Sequence, residues 1–246
     1  MTSSAKDILV KPIAAKDGKR IMEAFHYSGK SVQNSQLHLG VFLNGKCHGA
    51  MQFGPPMDKR RMLGLVEGTG WANFLELNRM AFGPELPRNS ESRALGIAFR
   101  LIRKHYPHVK WILSFSDATQ CGDGAIYRAS GFYLTSIKKN TTLLRMPDGS
   151  IVPDITLNLH PVKKSGWWKK RGATPLPGFQ LRYIKFLDPD WLDRLTVPVL
   201  PFSKIKEVGA SMYLGQSVSS DTSDTPPVHG GKGGATPTDM LQEGDC

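Results

Sequence analysis

The stretch that decides the fold is VKWILSF at residues 109–115. A short, mainly apolar run of this kind is typical of a strand buried on both faces, as in a parallel sheet. An amphipathic pattern over Glu91–Tyr106 precedes it and predicts a helix with Asn89 or Ser90 as its cap. Residues 73–82 predict another strand before that helix. A strand, a helix and a buried strand in succession form the basic unit of an α/β protein.

Three further strands and one helix are predicted on the N-terminal side. Ile8–Ile13 has the pattern of a strand, and Asp17–Phe25 has helical spacing with its first residue as the cap. Leu37–Leu43 and Cys47–Phe53 flank the dipeptide Asn44-Gly45. Because Asn-Gly between apolar runs is a strong hairpin signal, these two segments are predicted to pair.

The C-terminal side continues the alternation of strands and helices. A polar turn at Ser116–Gly124 is followed by a short helix through Tyr127 and a strand that starts at Phe132. The predicted order β-α-β-β-β-α-β-α-β indicates an α/β fold with a central mixed sheet flanked by helices.

One folded domain is predicted over residues 1–213, followed by a tail at residues 214–246. Gly, Ser, Thr, Pro and Asp supply 21 of the 33 tail residues. A segment of this composition buries too little apolar surface to offset the entropy of ordering it. We therefore expect the tail to be disordered.

Positive charge is concentrated in the predicted domain. The chain carries a net charge of +11, while five carboxylates and one lysine give the tail a net charge of −4, which leaves +15 on residues 1–213. Such an excess favours a polyanionic partner such as nucleic acid. Excess lysine can also serve solubility alone, and net charge does not separate the two interpretations.

The sequence argues against several protein classes. No window holds the roughly 18 apolar residues of a membrane span, and the N-terminus lacks the pattern of a secretory signal. The three cysteines, Cys47, Cys121 and Cys246, have no CxxC spacing, which argues against a disulfide framework and a structural zinc site. We expect a protein without a membrane partner that acts in a reducing cytoplasm.

A tyrosine on a short predicted helix is followed by a Gly-Phe pair in the segment Ala125–Phe132. Gly131 can adopt the left-handed conformation that ends a helix. The segment resembles a late signature of the GNAT superfamily of acyltransferases. The resemblance implies that Tyr127 protonates the leaving group and that coenzyme A lies between strands 73–82 and 109–115. Without the resemblance, the residues are also compatible with a Tyr127 that packs in the core and has no catalytic role.

The GNAT resemblance also implies a phosphate-binding turn before the helix at Glu91–Tyr106. The segment there, Pro87–Ala94, departs from the glycine-rich pattern, although a helix N-terminus still attracts phosphate. The donor is therefore expected to be either glycyl-tRNA or acetyl-CoA, the latter with a separate amination. The predicted donor-binding residues are Arg79, Arg88, Ser90, Ser92, Arg93, Ser114 and Ser116.

Three polar segments carry a more specific resemblance: His26-Tyr27-Ser28-Gly29, Glu76–Met80 and Ser114–Phe132. Together they resemble the Mom DNA-modification proteins, over residues 1–213. The resemblance implies conversion of adenine in phage DNA to N6-(carbamoylmethyl)adenine in the host cytoplasm, which blocks host restriction enzymes. The catalytic residues that it implies are His26, Tyr27, Asp117 and Tyr127, and a site for Fe2+ at His26 and Asp117 is an alternative that stays open.

The chemistry of these residues supports that interpretation in part. His26 can act as a general base near neutral pH, and Asp117 can orient it or accept a proton. Two good ligands are fewer than the three of a secure iron site. Simple alternation along strand 73–82 places Glu76 and Asn78 on one face and Arg79 on the other. Arg79 either holds a phosphate or carbonyl of the donor or forms a buried ion pair.

Two tryptophans and five cations lie close together at residues 163–171. Cations neutralise phosphates and aromatic rings can stack on bases, although a basic loop whose tryptophans enter the core is the alternative. Lys59-Arg60-Arg61 and Lys138-Lys139 are weaker candidates. The predicted DNA-binding residues are Lys163, Lys164, Trp167, Trp168, Lys169, Lys170 and Arg171.

The predicted partner is double-stranded DNA, and chemistry on adenine N6 in a duplex requires base flipping. A tRNA would be a second partner if it carries the donor, and the oligomeric state stays open, a homodimer included. Two other function classes also stay open. One is a DNA-binding protein without catalysis, and the other is a conventional acetyl-CoA-dependent N-acetyltransferase.

Overall fold

The computed structural model describes residues 3–119, 122–153, 171–210, 212–213 and 216–217. The strands are β1 (Leu9–Pro12), β2 (Leu37–Leu43), β3 (Lys46–Gly54), β4 (Phe74–Phe82), β5 (Trp111–Asp117), β6 (Tyr133–Lys139), β7 (Leu143–Arg145), β8 (Ile151–Pro153), β9 (Thr174–Pro175), β10 (Phe179–Phe186), β11 (Met212–Tyr213) and β12 (Gln216–Ser217). The α-helices are α1 (Ala15–Phe25), α2 (Lys59–Leu63), α3 (Ser90–His105), α4 (Ala125–Ala129) and α5 (Ser203–Glu207), and 3-10 helices cover Ala5–Asp7 and Pro189–Arg194.

The described chain groups into two compact units, where the sequence predicted a single domain over residues 1–213. The first unit lies within residues 1–113 and 185–196, and the second within residues 114–184 and 197–218. Strands β5 and β10 each contribute residues to both units.

The first unit contains a mixed sheet with the strand order β1-β2-β3-β4-β5. The pairs β1–β2, β2–β3 and β3–β4 are antiparallel. Strands β4 and β5 are joined by helix α3 and pair in parallel, from Phe74↔Trp111 to Glu76↔Leu113. The predicted α/β class with a mixed sheet is therefore confirmed.

The β2–β3 hairpin turns at the predicted Asn-Gly pair. Asn44 and Gly45 have φ values of 51° and 82°, as a two-residue hairpin turn of this hand requires. A β-bulge interrupts the next ladder, because Leu77 pairs with Phe53 and Arg79 pairs with Gln52, which leaves Asn78 as the extra residue.

The bulge determines which face of the sheet Arg79 occupies. The extra residue resets the alternation, so Arg79, opposite Gln52, lies on the same face as Glu76, opposite Gly54. The prediction that Arg79 lies on the other face from Glu76 was wrong, because strict alternation does not anticipate a bulge.

Helix α1 packs on strands β3 and β4 through Ile21 and Met22. The helix begins at Ala15, without a side-chain cap. Asp17 lies inside the first turn, where its carboxylate is 3.6 Å from Arg20. The predicted capping role of Asp17 was therefore wrong, although the predicted end of the helix at Phe25 was correct.

The second unit is built on the order β5-β10-β6. Strand β10 pairs antiparallel with β6 from Phe179↔Lys139 to Ile184↔Tyr133. Strand β10 was not predicted from the sequence, whereas α4 and β6 lie close to their predicted positions. A second, three-stranded sheet with the order β8-β7-β9 completes this unit.

Strands β11 and β12 pair across the predicted start of the tail at residue 214. The other predicted tail residues, 214–215 and 218–246, lie outside the described residues. Among the residues that the structure describes, no helix is long and apolar enough to cross a membrane.

Candidate active site

The predicted catalytic residues fall into two clusters, one in each unit. The first-unit cluster is defined as His26, Tyr27, Glu76, Asn78 and Arg79, around strand β4. The second-unit cluster is defined as Ser114, Ser116, Asp117 and Tyr127, on the end of strand β5 and on helix α4.

His26 and Arg79 form the centre of the first-unit cluster. The Nη1 atom of Arg79 lies 3.2 Å from Nε2 and 3.4 Å from Nδ1 of His26. The main-chain N–H of Ser28 donates to Nδ1 at 3.1 Å. The ring of Tyr27 lies 4.2 Å from that of His26, so the structure brings this predicted pair together.

Glu76 is a largely buried carboxyl group on β4. Burial raises its pKa to about 7, although a hydrogen bond with the Asn78 side chain and the charge of Arg79 act in the opposite direction. A carboxyl that titrates near neutral pH can gain or lose a proton during a reaction. Glu76 was not among the site residues predicted from the sequence. The available signal was a carboxylate inside a mainly apolar strand.

The side chain of Arg79 has hydrogen-bonding capacity left over. Its Nε atom is buried and has no hydrogen-bond partner among the described residues. A buried donor without a partner costs about 1–3 kcal/mol. An oxygen atom of a ligand at Nε would remove that cost, which agrees with a role for Arg79 in holding a phosphate or carbonyl.

The bulge residue Asn78 hydrogen-bonds with the loop between α1 and β2 and with the first residue after β3. Its Oδ1 atom accepts from Ser35 Oγ at 3.1 Å, and its Nδ2 atom donates to the main-chain oxygen of Pro55 at 3.4 Å. Asn34 Nδ2 donates to the same carbonyl at 2.5 Å. A Cβ atom on Gly54 would lie only 2.8 Å from Asn78 Oδ1, so this approach requires glycine.

Asp117 and Ser116 shape the turn after strand β5. Asp117 Oδ1 accepts the main-chain N–H of Thr119 at 3.0 Å and also a short hydrogen bond from the Thr119 hydroxyl. Ser116 Oγ donates to the main-chain oxygen of Gly122 at 2.7 Å. Ser114 is fully buried, and its Oγ atom has no hydrogen-bond partner in the described ranges. Both Asp117 and Ser116 therefore carry structural hydrogen bonds.

Tyr127 packs between two other aromatic rings on helix α4. Its ring centroid lies 5.1 Å from Tyr183 and 5.2 Å from Phe132. The hydroxyl of the buried Tyr183 donates to the main-chain oxygen of Asp123 at 2.5 Å, and burial raises the pKa of Tyr183 to about 12. A Cβ atom on Gly124 would lie 2.7 Å from the Tyr183 ring. Tyr183, which the sequence analysis missed, thus holds the start of α4 and packs against Tyr127.

The predicted donor-binding residues at the start of α3 differ in their exposure. Ser90 and Ser92 donate their hydroxyls to main-chain carbonyls of the preceding turn, at 2.6 and 3.2 Å. Ser90 is fully buried, whereas Ser92 is partly exposed. Arg88 and Arg93 are exposed, and Arg93 donates to the main-chain oxygen of Lys6 at 3.3 Å. A coenzyme A pyrophosphate would therefore be held here by arginines and the helix N-terminus.

The residues do not fit the predicted iron site. The guanidinium of Arg79 lies within 3.4 Å of both ring nitrogens of His26, where its positive charge would repel a metal cation. Within the described ranges, no group of three or more His, Cys, Asp or Glu side chains could hold a metal.

One predicted DNA-binding residue, Arg171, lies within the described residues, and it is exposed. The other six lie outside the described residues: Lys163, Lys164, Trp167, Trp168, Lys169 and Lys170.

The sequence profile of the Mom protein family matches residues 7–204. The chain belongs to the Mom family. One relative of this Mom protein is methylcarbamoylase mom of Escherichia phage Mu, which is 34% identical over 210 residues, covering 81% of this chain and 85% of the phage protein. The predicted resemblance to the Mom proteins is therefore confirmed. At this identity the chain is a separate member of the family and not the phage Mu protein itself.

Solved structures of two acetyltransferases also resemble this Mom protein. The ribosomal-protein-S18-alanine N-acetyltransferase of Escherichia coli is 13% identical, with a TM-score of 0.43, and the match covers 74% of this chain and 94% of the other. The spermidine/spermine N-acetyltransferase of Vibrio cholerae is 9% identical, with a TM-score of 0.46, and the match covers 77% and 98%. Likenesses of this size define neither a substrate nor a cofactor for a Mom protein.

Proposed function

We propose that this Mom protein is a transferase that converts adenine in phage DNA to N6-(carbamoylmethyl)adenine and so protects that DNA from host restriction enzymes. The observation that carries the proposal is membership of the Mom family, with 34% identity to a methylcarbamoylase. The charge of +15 on the predicted domain supports DNA as the substrate, since a polyanion is the natural partner of such a surface.

Adenine N6 is a poor nucleophile because its lone pair is delocalised into the ring. A transferase acting on it needs a base and close orientation of the reactants. Glu76, with a pKa of about 7, is suited to take the proton. His26 lies against the guanidinium of Arg79, so its proposed role is to orient that side chain. The Nε–H of Arg79 then holds the carbonyl or phosphate oxygen of the donor.

The second-unit cluster is proposed to serve the leaving group. Tyr127 protonates it, as the GNAT resemblance implies, and the contact with Tyr183 orients the Tyr127 ring. Asp117 positions the turn after β5 through Thr119 and can also receive a proton.

Glycyl transfer is the proposed chemistry, because N6-glycyladenine and N6-(carbamoylmethyl)adenine are isomers. Transfer of a glycyl group from glycyl-tRNA forms the N6–C bond and breaks the ester bond to the ribose oxygen, which takes up a proton. The glycyl amine then attacks ring C6 through a five-membered spiro intermediate. The original C6–N6 bond breaks, and the former N6 becomes the carboxamide nitrogen. Acetyl-CoA with a separate amination is the competing route.

The function is tested by mass analysis of DNA from cells that express the protein. An increment of C2H3NO on adenosine is expected, and this increment should disappear with Tyr127→Phe while DNA affinity is retained. DNA that is bound but never modified would instead indicate a non-catalytic DNA-binding protein. Acetylated amines formed from acetyl-CoA, with unmodified DNA, would indicate a conventional acetyltransferase.

The donor is tested with DNA that carries 15N at the exocyclic nitrogen of adenine. Glycyl transfer with rearrangement places the label in the carboxamide. Direct alkylation keeps the label on the nitrogen attached to ring C6, and that result, or full activity with acetyl-CoA and no glycyl donor, would contradict the glycyl mechanism.

A further inference from the structure

An exposed tryptophan stands on the connection between strands β3 and β4. Trp71 is 58% exposed, in a turn closed by a hydrogen bond from the Asn73 N–H to Gly70 O at 3.1 Å. The Asn73 side chain accepts the Gly70 N–H at 2.7 Å and donates to the main-chain oxygen of His108 at 2.9 Å. The turn therefore holds in solvent a large ring that burial would stabilise.

One cation lies over this ring, and three others lie on the same connection or on a segment hydrogen-bonded to it. The Nζ atom of Lys59 lies 4.8 Å from the centroid of the Trp71 ring. Arg60 and Arg61 follow on helix α2, are exposed and form no ion pair within the described ranges. The exposed Arg194 is docked onto the same connection, since its main-chain oxygen accepts the Glu67 N–H at 2.8 Å. We call Lys59, Arg60, Arg61, Trp71 and Arg194 the basic-aromatic surface.

The connection between β3 and β4, which carries helix α2 and Trp71, begins beside the first-unit cluster. Gly54, the last residue of β3, pairs with Glu76, and the connection starts at the next residue, Pro55. The main-chain oxygen of Pro55 accepts from the side chain of Asn78, which also hydrogen-bonds with Glu76. The connection that carries Trp71 and the two arginines therefore starts next to Glu76 and Asn78 of the first-unit cluster.

We propose that the basic-aromatic surface binds DNA, with its arginines on backbone phosphates and Trp71 stacked on a base at the site of modification. The inference rests on the proposed function for the identity of the nucleic acid. Adenine N6 is paired and stacked inside a duplex, so the base must leave the helix before it reacts. An aromatic ring among cations supplies both the phosphate contacts and a partner for an unstacked base.

The phosphate contacts are tested with two matched double variants. Arg60→Ala/Arg61→Ala removes two cations from the surface, and Lys6→Ala/Lys46→Ala removes two exposed cations elsewhere in the first unit. Lys46 lies at the opposite end of β3 from the connection. Affinity for a short DNA duplex is measured as a function of salt concentration. The first variant should lower the salt slope by up to about 0.9 log unit per lost phosphate contact, and the control should keep the wild-type slope.

The stacking contact is tested with a duplex that has 2-aminopurine opposite an abasic site. Trp71→Ala should weaken binding by about 5- to 150-fold, which corresponds to the loss of one stacked base. The salt slope should stay unchanged, and Trp71→Phe should restore part of the affinity. Wild-type affinity in Trp71→Ala, or equal slopes in the two double variants, would overturn the inference.

Two other partners are distinguished in the same experiments. If the arginine variant keeps its affinity for duplex DNA but loses affinity for tRNA, the surface binds the donor and the inference is wrong. If Trp71→Ala instead dissociates a dimer seen by light scattering, without affecting DNA binding, the surface is a self-association face and the inference is also wrong. Mass analysis of the DNA reports on the proposed function separately, because the binding measurements do not require turnover.

Discussion

Glu76 is a single carboxyl group that couples the stability of this protein to pH. Its pKa is about 7 in the folded chain, against an ordinary value of 4.5, because burial disfavours the carboxylate. The folded state therefore binds the proton more tightly than the unfolded state. We predict that the free energy of unfolding falls as pH rises from about 4.5 to about 7, by roughly 3 kcal/mol at most for this one group.

The replacement Glu76→Gln tests that prediction, because an amide cannot ionise but can still hydrogen-bond with Asn78. Denaturant unfolding at several pH values should show a flatter pH dependence in the variant, with its largest relative gain in stability above pH 7. An unchanged pH dependence would mean that the Glu76 carboxyl does not titrate in this range.

Arg79 is predicted to act through the shape of its guanidinium as well as its charge. Arg79→Lys keeps the cation but loses the planar group that lies against both His26 nitrogens and carries the unpartnered Nε–H. Modification of DNA should fall about 10- to 150-fold, the loss expected for a hydrogen bond to a charged group. The measurement is the rate of adenine modification, with thermal unfolding as the control. A fully active lysine variant would contradict the geometric role.

The end of strand β3 at Gly54 leaves no room for a side chain. In Gly54→Ala, the new Cβ would crowd Asn78 Oδ1 at 2.8 Å and the Asn34–Ser35 backbone, so we expect a loss of about 1–3 kcal/mol. Gly96→Ala is the matched control. A Cβ on Gly96 of helix α3 would meet only the Arg100 side chain, at an ordinary 3.9 Å, and alanine stabilises a helix by about 0.5–1 kcal/mol relative to glycine. Denaturant unfolding of both variants checks the prediction. Equal effects of the two variants would contradict it.

Helix α4 is too short to be stable by itself and depends on its contacts with Tyr183. Tyr183→Phe keeps the ring that packs on Tyr127 but removes the hydroxyl that donates to Asp123 O. We expect a loss of about 1–3 kcal/mol in the free energy of unfolding, because the carbonyl is left without this donor. Activity should fall by more than the lost fraction of folded protein explains, since Tyr127 lies on α4. Chemical unfolding and modification rates, measured side by side, separate the two effects.

The charge of the whole molecule is divided unequally along the chain. Residues 218–246 carry five carboxylates and one lysine, so truncation after Ser217 raises the net charge from +11 to +15 and keeps the β11–β12 pair. We predict tighter DNA binding at low salt, because the removed acidic residues compete with DNA phosphates. The thermal unfolding temperature and the modification rate at saturating DNA should match those of the full chain. A destabilised truncation would place the end of the folded part later in the sequence.

The sequence by itself determined the features of this protein that depend on neighbouring residues. The alternation of strands and helices, the turn at Asn44-Gly45 and the helix that carries Tyr127 follow from local periodicity and turn chemistry. The three polar segments that resemble the Mom proteins are also local patterns, and they were sufficient to identify the family.

The tertiary structure decided the features that depend on residues distant in the chain. The bulge at Asn78 arises from the register between β3 and β4, and it moves Arg79 to the face of Glu76. The burial that raises the pKa of Glu76, and the packing of Tyr183 against Tyr127, depend on elements that the chain brings together only when it folds. Local periodicity does not report strand register, so the sequence alone placed Arg79 on the wrong face. It does not report burial either, so the roles of Glu76 and Tyr183 were not predicted.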